Sequence, residues 1–241
     1  MDRYSRQELF IGTKAQKILE KSTVAIVGVG ALGTTAANLC VRAGISVTLF
    51  DKDIVEMHNL QRQTIFTEQD IGKSKALQAA TYLKKINSEV SIRAHQKEIN
   101  PQTASLLMGF DIIFDCTDNM ETRFLLNDFC VKNKKQWIYA SAVGSHGMVY
   151  TYIPGKPCFR CIFSSSLLLE KCEKCDAVGI LNTIPAVIAA IQVSEAIQLC
   201  TMHCCTAEII AYDIMKQDFK KIRIKQKNNC LCCQKKRFEF L

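Results

Sequence analysis

One group of residues in this sequence has the types and spacing needed to bind a nucleotide. The apolar residues 24–27 lead into a G-x-G-x-x-G motif made by Gly28, Gly30 and Gly33, and a helix-like pattern follows. Such glycines permit a tight turn and a close approach of backbone to phosphate, and the helix N-terminus faces the phosphate. A second apolar run, 47–50, ends at Asp51, whose carboxylate would hold ribose hydroxyls. The alternative is a strand-to-helix turn whose glycines only permit packing.

The polar segment after Asp51 indicates which nucleotide chemistry to expect. Asp53, Asn59, Arg62 and Gln63 bring a carboxylate, two amides and a guanidinium close to the ribose acid. These groups could reach phosphates and a metal ion. An NAD-dependent oxidoreductase would share the glycine loop and Asp51, but its nicotinamide needs an apolar slot, so the polar cluster would be left unexplained. The segment therefore favours phosphate chemistry.

Two further groups could serve the same site. Lys73 and Lys75 precede a predicted helix, and spacing alone does not choose between them as phosphate ligands. The strand-like run from Asp111 ends in D-C-T-D-N, which contains Asp118. Because functional loops gather at the carboxyl ends of strands, Asp118 is a candidate ligand, and N-capping of the next helix is the alternative. His146, beside glycines, is interpreted as a turn or satisfied histidine.

Cysteine spacing predicts a metal site. The chain has 13 cysteines and begins without an apolar leader, which predicts a reducing, cytoplasmic location and metal ligation rather than disulfides. Two C-x-x-C pairs complete a tetrahedral Zn²⁺ site. Spacing alone favours joining the pair at positions 158 and 161 to the pair at 172 and 175, while a third pair lies at 230 and 233. Cys232 is a spare thiol that could compete for the metal.

The glycine loop, the acid-rich turn and the N-L-Q-R-Q of residues 59–63 resemble the ThiF/MoeB/HesA family of adenylating enzymes, which are related to ubiquitin-activating proteins. The resemblance runs from Arg3 to the last cysteine pair. It implies ATP-dependent adenylation of the C-terminal glycine carboxylate of a small ubiquitin-like or sulfur-carrier protein ending in Gly-Gly. Thioester or persulfide-linked transfer could follow. A non-catalytic nucleotide-binding scaffold is the alternative that keeps the same fold.

The same resemblance implies roles for individual residues. Arg6 would enter the ATP site of a neighbouring subunit, which implies a homodimer. Asp118 would hold Mg²⁺, and Cys175 is a candidate nucleophile. The zinc would join Cys158 and Cys161 to Cys230 and Cys233, against the spacing argument. ATP contacts would come from Gly28, Gly30, Ala31, Gly33, Asp51, Asp53, Asn59, Arg62, Gln63, Lys75 and Asp118. Ala31 departs from the pattern, since many members have another glycine there.

The fold expected is one doubly wound, Rossmann-like α/β domain covering residues 1–241, with a mostly parallel sheet and antiparallel C-terminal strands. Residues 1–140 would form the nucleotide half and 141–241 the partner and zinc half. Helices are predicted over about 14–21, over 101–108 and over 183–200, and two more begin after residues 71–75, ending at about Ile86, and at Glu121. Later strands are predicted over 91–94, 137–140, 148–153, 208–212 and 219–224.

Charge and hydropathy indicate which classes of partner to expect and whether the chain crosses a membrane. The net charge of +8 is concentrated near the C-terminus, which predicts a solvated face or attraction of an acidic protein, and we do not expect nucleic acid as the partner. The apolar segment 184–200 carries Gln192, Glu195 and Gln198 on one helical face, which favours a core helix over a membrane span. Any sulfur donor or conjugating protein would be a separate chain.

Overall fold

A computed structural model of the chain describes residues 3–164, 178–202 and 207–241. Within them, the strands are β1 Thr23–Val27, β2 Ser46–Phe50, β3 Ile92–His95, β4 Ile112–Asp115, β5 Gln136–Val143, β6 His146–Tyr152, β7 Glu208–Asp213 and β8 Asp218–Arg223. The helices are α1 Ser5–Ile11, α2 Thr13–Leu19, α3 Ala31–Arg42, α4 Lys75–Ile86, α5 Met120–Lys132, α6 Phe159–Ile162 and α7 Thr183–Thr201.

The strands form one eight-stranded sheet in the order β3-β2-β1-β4-β5-β6-β7-β8. Pairing is parallel from β3 to β5 and antiparallel from β5 to β8. This confirms the predicted α/β class, with a mostly parallel sheet and antiparallel C-terminal strands. The sheet is continuous across the two predicted halves.

Both faces of the sheet are covered. In β1, Val24 and Ile26 belong to a core that also contains apolar residues of α3, α4 and α7. Ala25 and Val27 point to a second core that contains residues of α5 and the C-terminal segment. Strands buried on both faces carry continuous apolar runs, which is why the first two strands were recognisable in the sequence.

Two helices differ from the prediction. The helix predicted over about 14–21 is present as α2, but α1 before it was not predicted; Gly12, with φ +86°, separates the two. The helix predicted over 101–108 is wrong, since only a short 3₁₀ turn forms at Ala104–Leu107. Here the Thr103 hydroxyl donates to the Glu98 carbonyl oxygen at 2.7 Å, and the Asn100 side chain accepts from backbone amides of the next residues. Such side-chain bonds compete with the helical ones.

By length and composition, α7 is the one helix in the described ranges that could cross a membrane. Gln192 on this helix is fully buried, and its amide donates to the carbonyl oxygens of Asp115 at 3.2 Å and Ile138 at 2.8 Å. Residues on several of its turns pack with α3 and the strands in the first core. We therefore interpret α7 as a core helix that ties β4 to β5.

Candidate nucleotide site and cysteine cluster

The glycine loop follows β1 and has strict steric needs. Gly28 has φ +90°, and a Cβ placed there would lie 2.7 Å from the carbonyl oxygen of Cys116. A Cβ on Gly33 would lie 2.0 Å from the carbonyl oxygen of Gly28. Around Gly30 the nearest atom would be 3.8 Å away, on the side chain of Gln63. Packing therefore explains two of the three glycines, whereas Gly30 leaves open space beside the loop.

The start of α3 is available to bind an anion. Gly30 is its N-cap and offers no side-chain cap, so the first amides have no partner within the helix. Asp51 lies against this loop, because its carboxylate accepts from the Val29 amide at 2.6 Å and from the Asp53 amide at 2.8 Å. Burial raises the pKa of Asp51, and these amide bonds oppose that rise. Ala31 is simply the first residue of α3, so the departure from glycine is accommodated.

The polar segment surrounds the loop. Lys75 is the first residue of α4, only 10% of its side chain is exposed, and its Nζ lies 3.4 Å from Asp53 Oδ2. Lys73 is exposed and makes no such pair among the described residues. The structure therefore selects Lys75 as the lysine of this cluster.

The amide side chains of the segment differ in what they do. Asn59 is buried, and its Oδ1 accepts from the Glu56 amide at 3.1 Å, so it shapes the turn. Gln63 is buried beside Gly30, and its Oε1 has no hydrogen-bond partner within the described ranges. A buried acceptor without a partner is costly, so Gln63 is suited to meet a ligand. Arg62 is half-buried and donates to the His58 carbonyl oxygen at 2.9 Å.

The acid turn follows β4. Asp115 is fully buried, and its Oδ1 accepts from the Thr117 amide at 2.9 Å and hydroxyl at 2.7 Å. Burial raises the pKa of Asp115 to about 6, against the attraction of Arg123. Asp118 is exposed, and the cap of α5 is its neighbour Asn119, whose Oδ1 accepts from the Thr122 amide at 2.8 Å. N-capping therefore does not account for Asp118.

Strand register brings these segments together. Val27 is paired with Phe50 on one side and with Asp115 on the other. The glycine loop, Asp51 and the acid turn therefore leave the same edge of the sheet from adjacent strands. The site predicted from three separate segments forms one cluster, at the strand carboxyl ends where α/β proteins bind ligands.

Arg6 does not belong to that cluster. Its neighbour Gln7 donates to the Ala43 carbonyl oxygen at 3.3 Å, and Tyr4 lies beside Gly44. Ala43 and Gly44 follow the C-terminal end of α3, whereas the glycine loop precedes its start. The two ends of a 12-residue helix are about 18 Å apart. Arg6 is thus remote from the nucleotide cluster of its own chain.

One residue of the cluster escaped the sequence analysis. Arg123, on the first turns of α5, donates from Nη2 to the Thr117 carbonyl oxygen at 2.6 Å. The sequence feature that could have identified it is its position four residues after the Asn119 cap. One helical turn places its side chain on the same face as the cap, beside the acid turn. By contrast, His146 is satisfied as predicted, with Nε2 2.9 Å from Asp213 Oδ2.

Four cysteines converge in a second cluster. The Sγ atoms of Cys158, Cys161, Cys230 and Cys233 are buried and lie within 4.8 Å of one another. Cys158 is 3.6 Å from Cys230, and Cys161 is 3.5 Å from Cys233. A tetrahedral Zn²⁺ with Zn–S bonds of about 2.3 Å requires sulfur atoms roughly 3.8 Å apart. The donor set and its spacing therefore fit zinc, and the pairing follows the family resemblance rather than proximity in sequence.

The surroundings of the cluster complete this picture. Contact with Cys158 and burial raise the pKa of Cys161 to about 12, and burial raises that of Cys233 to about 11. A cation would restore the thiolate form by lowering these values. Cys232 is not one of the four clustered sulfur donors; its Sγ accepts from the Asn127 side-chain amide at 3.3 Å, and its side chain also contacts Cys158. Cys172 and Cys175 lie outside the described residues, so the nucleophile role of Cys175 stays a prediction.

Comparison with known proteins agrees with this geometry. The model of the ThiF family matches residues 4–233. The sulfur carrier protein ThiS adenylyltransferase of Bacillus subtilis is 38% identical over 248 residues, covering 99% of this chain and 73% of that protein. The adenylyltransferase and sulfurtransferase MOCS3 of Xenopus laevis is 35% identical over 240 residues, and the chain spans only 53% of its length.

A solved structure supports the fold alone. E. coli MccB with ATP superimposes with a TM-score of 0.85 at 23% identity, over 96% of this chain and 74% of that one. The curated relatives are named adenylyltransferases, as the predicted reaction class requires. Since the family match and the B. subtilis relative both span nearly the whole chain, this protein belongs to the ThiF family of adenylating enzymes.

Proposed function

We propose that this chain adenylates the C-terminal carboxylate of a small sulfur-carrier or ubiquitin-like protein ending in Gly-Gly. The observation that carries the proposal is the convergence of the glycine loop, Asp51, Lys75 and the acid turn at one sheet edge, in a chain similar to a ThiS adenylyltransferase. The reaction would consume ATP and release pyrophosphate.

In the proposed reaction an oxygen of the carrier's carboxylate attacks the α-phosphorus of ATP. The bond from that phosphorus to the bridging oxygen of the β-phosphate breaks, and pyrophosphate leaves with the electron pair. A carboxylate is already a nucleophile at neutral pH, so no general base is needed. The unpaired amides at the start of α3 would bind phosphate, Asp51 would hold the ribose, and Lys75 and Arg62 would neutralise charge.

Asp118 is the residue we assign to Mg²⁺. Its carboxylate is exposed at the strand carboxyl ends, and a hard cation prefers such oxygen ligands. When bound, Mg²⁺ would supply neutralisation of the charge on the triphosphate. Gln63 Oε1, which is buried and has no hydrogen-bond partner in the described part of the chain, would contact the nucleotide beside Gly30.

Arg6 can serve the reaction only from another subunit, since α3 separates it from its own glycine loop. The helix that carries it is also unusually apolar on its surface, with Leu9 81% and Phe10 86% exposed. Exposed apolar side chains of this size are typical of protein interfaces. We therefore propose a homodimer in which Arg6 of each chain completes the other chain's ATP site.

The zinc site would be structural and closed, because the four sulfur atoms use every position of a tetrahedral ion. We further propose a cytoplasmic location and a separate sulfur donor or conjugating protein. None of the nine cysteines in the described ranges forms a disulfide bond, which is consistent with a reducing compartment.

ATP–pyrophosphate exchange tests the proposed reaction. The protein would be mixed with Mg²⁺, ATP, labelled pyrophosphate and candidate Gly-Gly proteins, each beside a version lacking its last glycine. We expect exchange with one intact carrier, none with the shortened one, and at least a hundredfold loss on Asp118→Ala. Asp218→Ala, at a half-buried aspartate that pairs with Lys220 in β8, should retain exchange. Bound ATP without exchange for every carrier would favour the scaffold, and reduction of a nicotinamide would favour an oxidoreductase.

Mixing two inactive variants tests the shared site. In a heterodimer of Arg6→Ala and Asp118→Ala chains, one site has both residues and the other has neither. Random mixing should therefore recover about a quarter of wild-type exchange. If Arg6 acted within its own chain, the mixture would stay as inactive as its components.

A further inference from the structure

We propose that Arg123 is a positioning residue for the proposed reaction, because it fixes the turn that presents Asp118. The inference rests on the proposed function only in assigning Asp118 to the metal. Arg123 itself need not touch the nucleotide. It acts through Thr117, the residue immediately before Asp118.

Thr117 is held from both sides. Its carbonyl oxygen accepts from Arg123 Nη2 at 2.6 Å. Its amide and hydroxyl both donate to Asp115 Oδ1, at 2.9 and 2.7 Å. On the far side of Asp118, Asn119 is fixed as the cap of α5. The Asp118 carboxylate is therefore exposed, but the backbone that carries it has anchors before and after it.

The guanidinium is itself held in place. Its Cζ lies 5.2 Å from the ring centroid of the buried Tyr139, whose hydroxyl donates to Ser141 Oγ at 2.7 Å. Tyr139 in turn packs against Phe159, with ring centroids 5.0 Å apart. Phe159 lies between the zinc ligands Cys158 and Cys161 in sequence. Arg123 therefore connects the acid turn to the packed aromatic side chains, and this contact restricts the movement of the turn.

The polar atoms around this arginine also point to a functional role. Arg123 Nε and Asp115 Oδ2 are both buried, and neither has a hydrogen-bond partner within the described ranges. A merely structural arginine would be expected to satisfy its donors. Two of its nitrogens do have partners, Nη2 at the Thr117 carbonyl oxygen and Nη1 at Met120 Sδ, so only the Nε donor is left without one in the described ranges. Lysine would supply the charge without the planar stacking or the directed carbonyl bond.

Calorimetric ATP binding, titrated with Mg²⁺, tests this role without any carrier protein. We expect Arg123→Gln to raise the Mg²⁺ concentration at half-effect roughly tenfold, the scale seen when partners behind a metal ligand are removed. ATP affinity in a chelator should change less than about twofold. The Mg²⁺ concentration at half-effect should be intermediate between wild type and Arg123→Gln for the Arg123→Lys variant. Lys132→Gln, at the exposed far end of the same helix, should give the wild-type value.

A double variant separates positioning from general destabilisation. If Arg123 acts through Asp118, adding Arg123→Gln to Asp118→Ala should not change the Mg²⁺ dependence further. An additive shift, or equal loss of ATP affinity with and without Mg²⁺, would overturn the inference. Should Arg123→Gln fail to fold, Arg123→Lys decides, since an unchanged Mg²⁺ dependence in that variant also overturns it. A Mg²⁺ shift without exchange on any carrier would sink the proposed function and leave this inference standing.

Discussion

Asp115 and Asp118 are three residues apart but have opposite environments. Asp115 is sealed under the turn, whereas Asp118 faces solvent. Burial without a full set of partners raises the pKa of Asp115 to about 6. The buried acid therefore shapes the turn, and the exposed one is left to bind a ligand.

Asp115→Asn should flatten the pH dependence of stability. Because its folded pKa is raised, Asp115 stabilises the protein most below pH 4 and loses that contribution as pH rises through about 6. The loss is on the order of 2–3 kcal/mol. Urea unfolding at pH 4.5, 5.5 and 7 should show a smaller decline for the variant, while Asp218→Asn should keep the wild-type slope. Parallel curves for Asp115→Asn and wild type would contradict the assignment.

Gly33 and Gly30 allow packing to be separated from phosphate binding. Gly33→Ala forces a methyl group against the Gly28 carbonyl oxygen and should cost about 1–3 kcal/mol. The melting temperature should then fall by roughly 2–12 °C. Gly30→Ala has room for its methyl group, so it should melt near wild type but bind ATP more weakly. Equal melting temperatures for the two variants would show that the loop tolerates a side chain at either position.

At the scale of elements, α3 separates two functions. Its first turn faces the nucleotide cluster, and its last residue adjoins the segment that carries Arg6. The apolar surface of α1 lies on that far side. Within a single chain, Arg6 therefore lies too far from the glycine loop to contact an anion bound there.

Phe10→Asp should weaken the proposed dimer. The side chain is 86% exposed in the single chain, and a charge placed in an apolar interface costs its desolvation. We expect at least about a tenfold rise in the dimer dissociation constant by analytical ultracentrifugation. Met215→Asp, at another exposed apolar position, is the control and should leave association unchanged. Equal association of both variants with wild type would place the interface elsewhere.

The sequence analysis predicted those elements whose pattern of apolar residues corresponds to the faces that they bury. The runs in β1, β2 and β4 are buried on both faces and so are mostly apolar. The turn at Ala104–Leu107 was missed because side-chain bonds of Asn100 and Thr103 replaced helical ones. Helix α1 was missed because none of its residues is buried, so it has no apolar stripe directed at a core.

The clustering of the candidate nucleotide residues was predictable because each belongs to a short motif, and their contact with a nucleotide stays a prediction. The choice between Lys73 and Lys75 was not predictable, since it depends on which lysine the α4 start turns toward Asp53. Arg123 was missed because its partner is a backbone carbonyl, so its place one helical turn after the Asn119 cap was the single sequence signal for it. The cysteine pairing likewise depends on how the sheet returns the chain, and spacing alone favoured the wrong pair.

At the scale of the whole molecule, the cysteine cluster joins the C-terminal segment to α6, and other contacts join both to α5. Buried Arg160 pairs with Asp128 at 3.3 Å and with Glu239 near the chain end. Phe240 stacks on Phe124 with centroids 5.0 Å apart. The segment is thus held by sulfur atoms, by ion pairs and by aromatic packing together.

Removing the metal should release this segment. A chelator should extract about one Zn²⁺ per chain, and the bonds around Arg160 alone should not keep the segment docked. Trp137, the single tryptophan, lies 5.7 Å from Phe159 and should report the change as a red shift of fluorescence. Cys230→Ser should mimic extraction, and Cys200→Ser should not. A metal-free protein with unchanged fluorescence and protease resistance would argue against the staple.

The distance along the chain between the two cysteine pairs has a consequence for synthesis. Cys158 and its partner Cys230 are 72 residues apart. At 5 to 20 residues per second the ribosome needs roughly 4 to 14 s to add the second pair. During that interval the nearer pair at positions 172 and 175 is already in the chain. During synthesis the pair at 172 and 175 is available to the pair at 158 and 161 first, whereas in the folded chain the pair at 230 and 233 lies beside it. A metal ion captured early would therefore exchange two of its ligands before folding is complete.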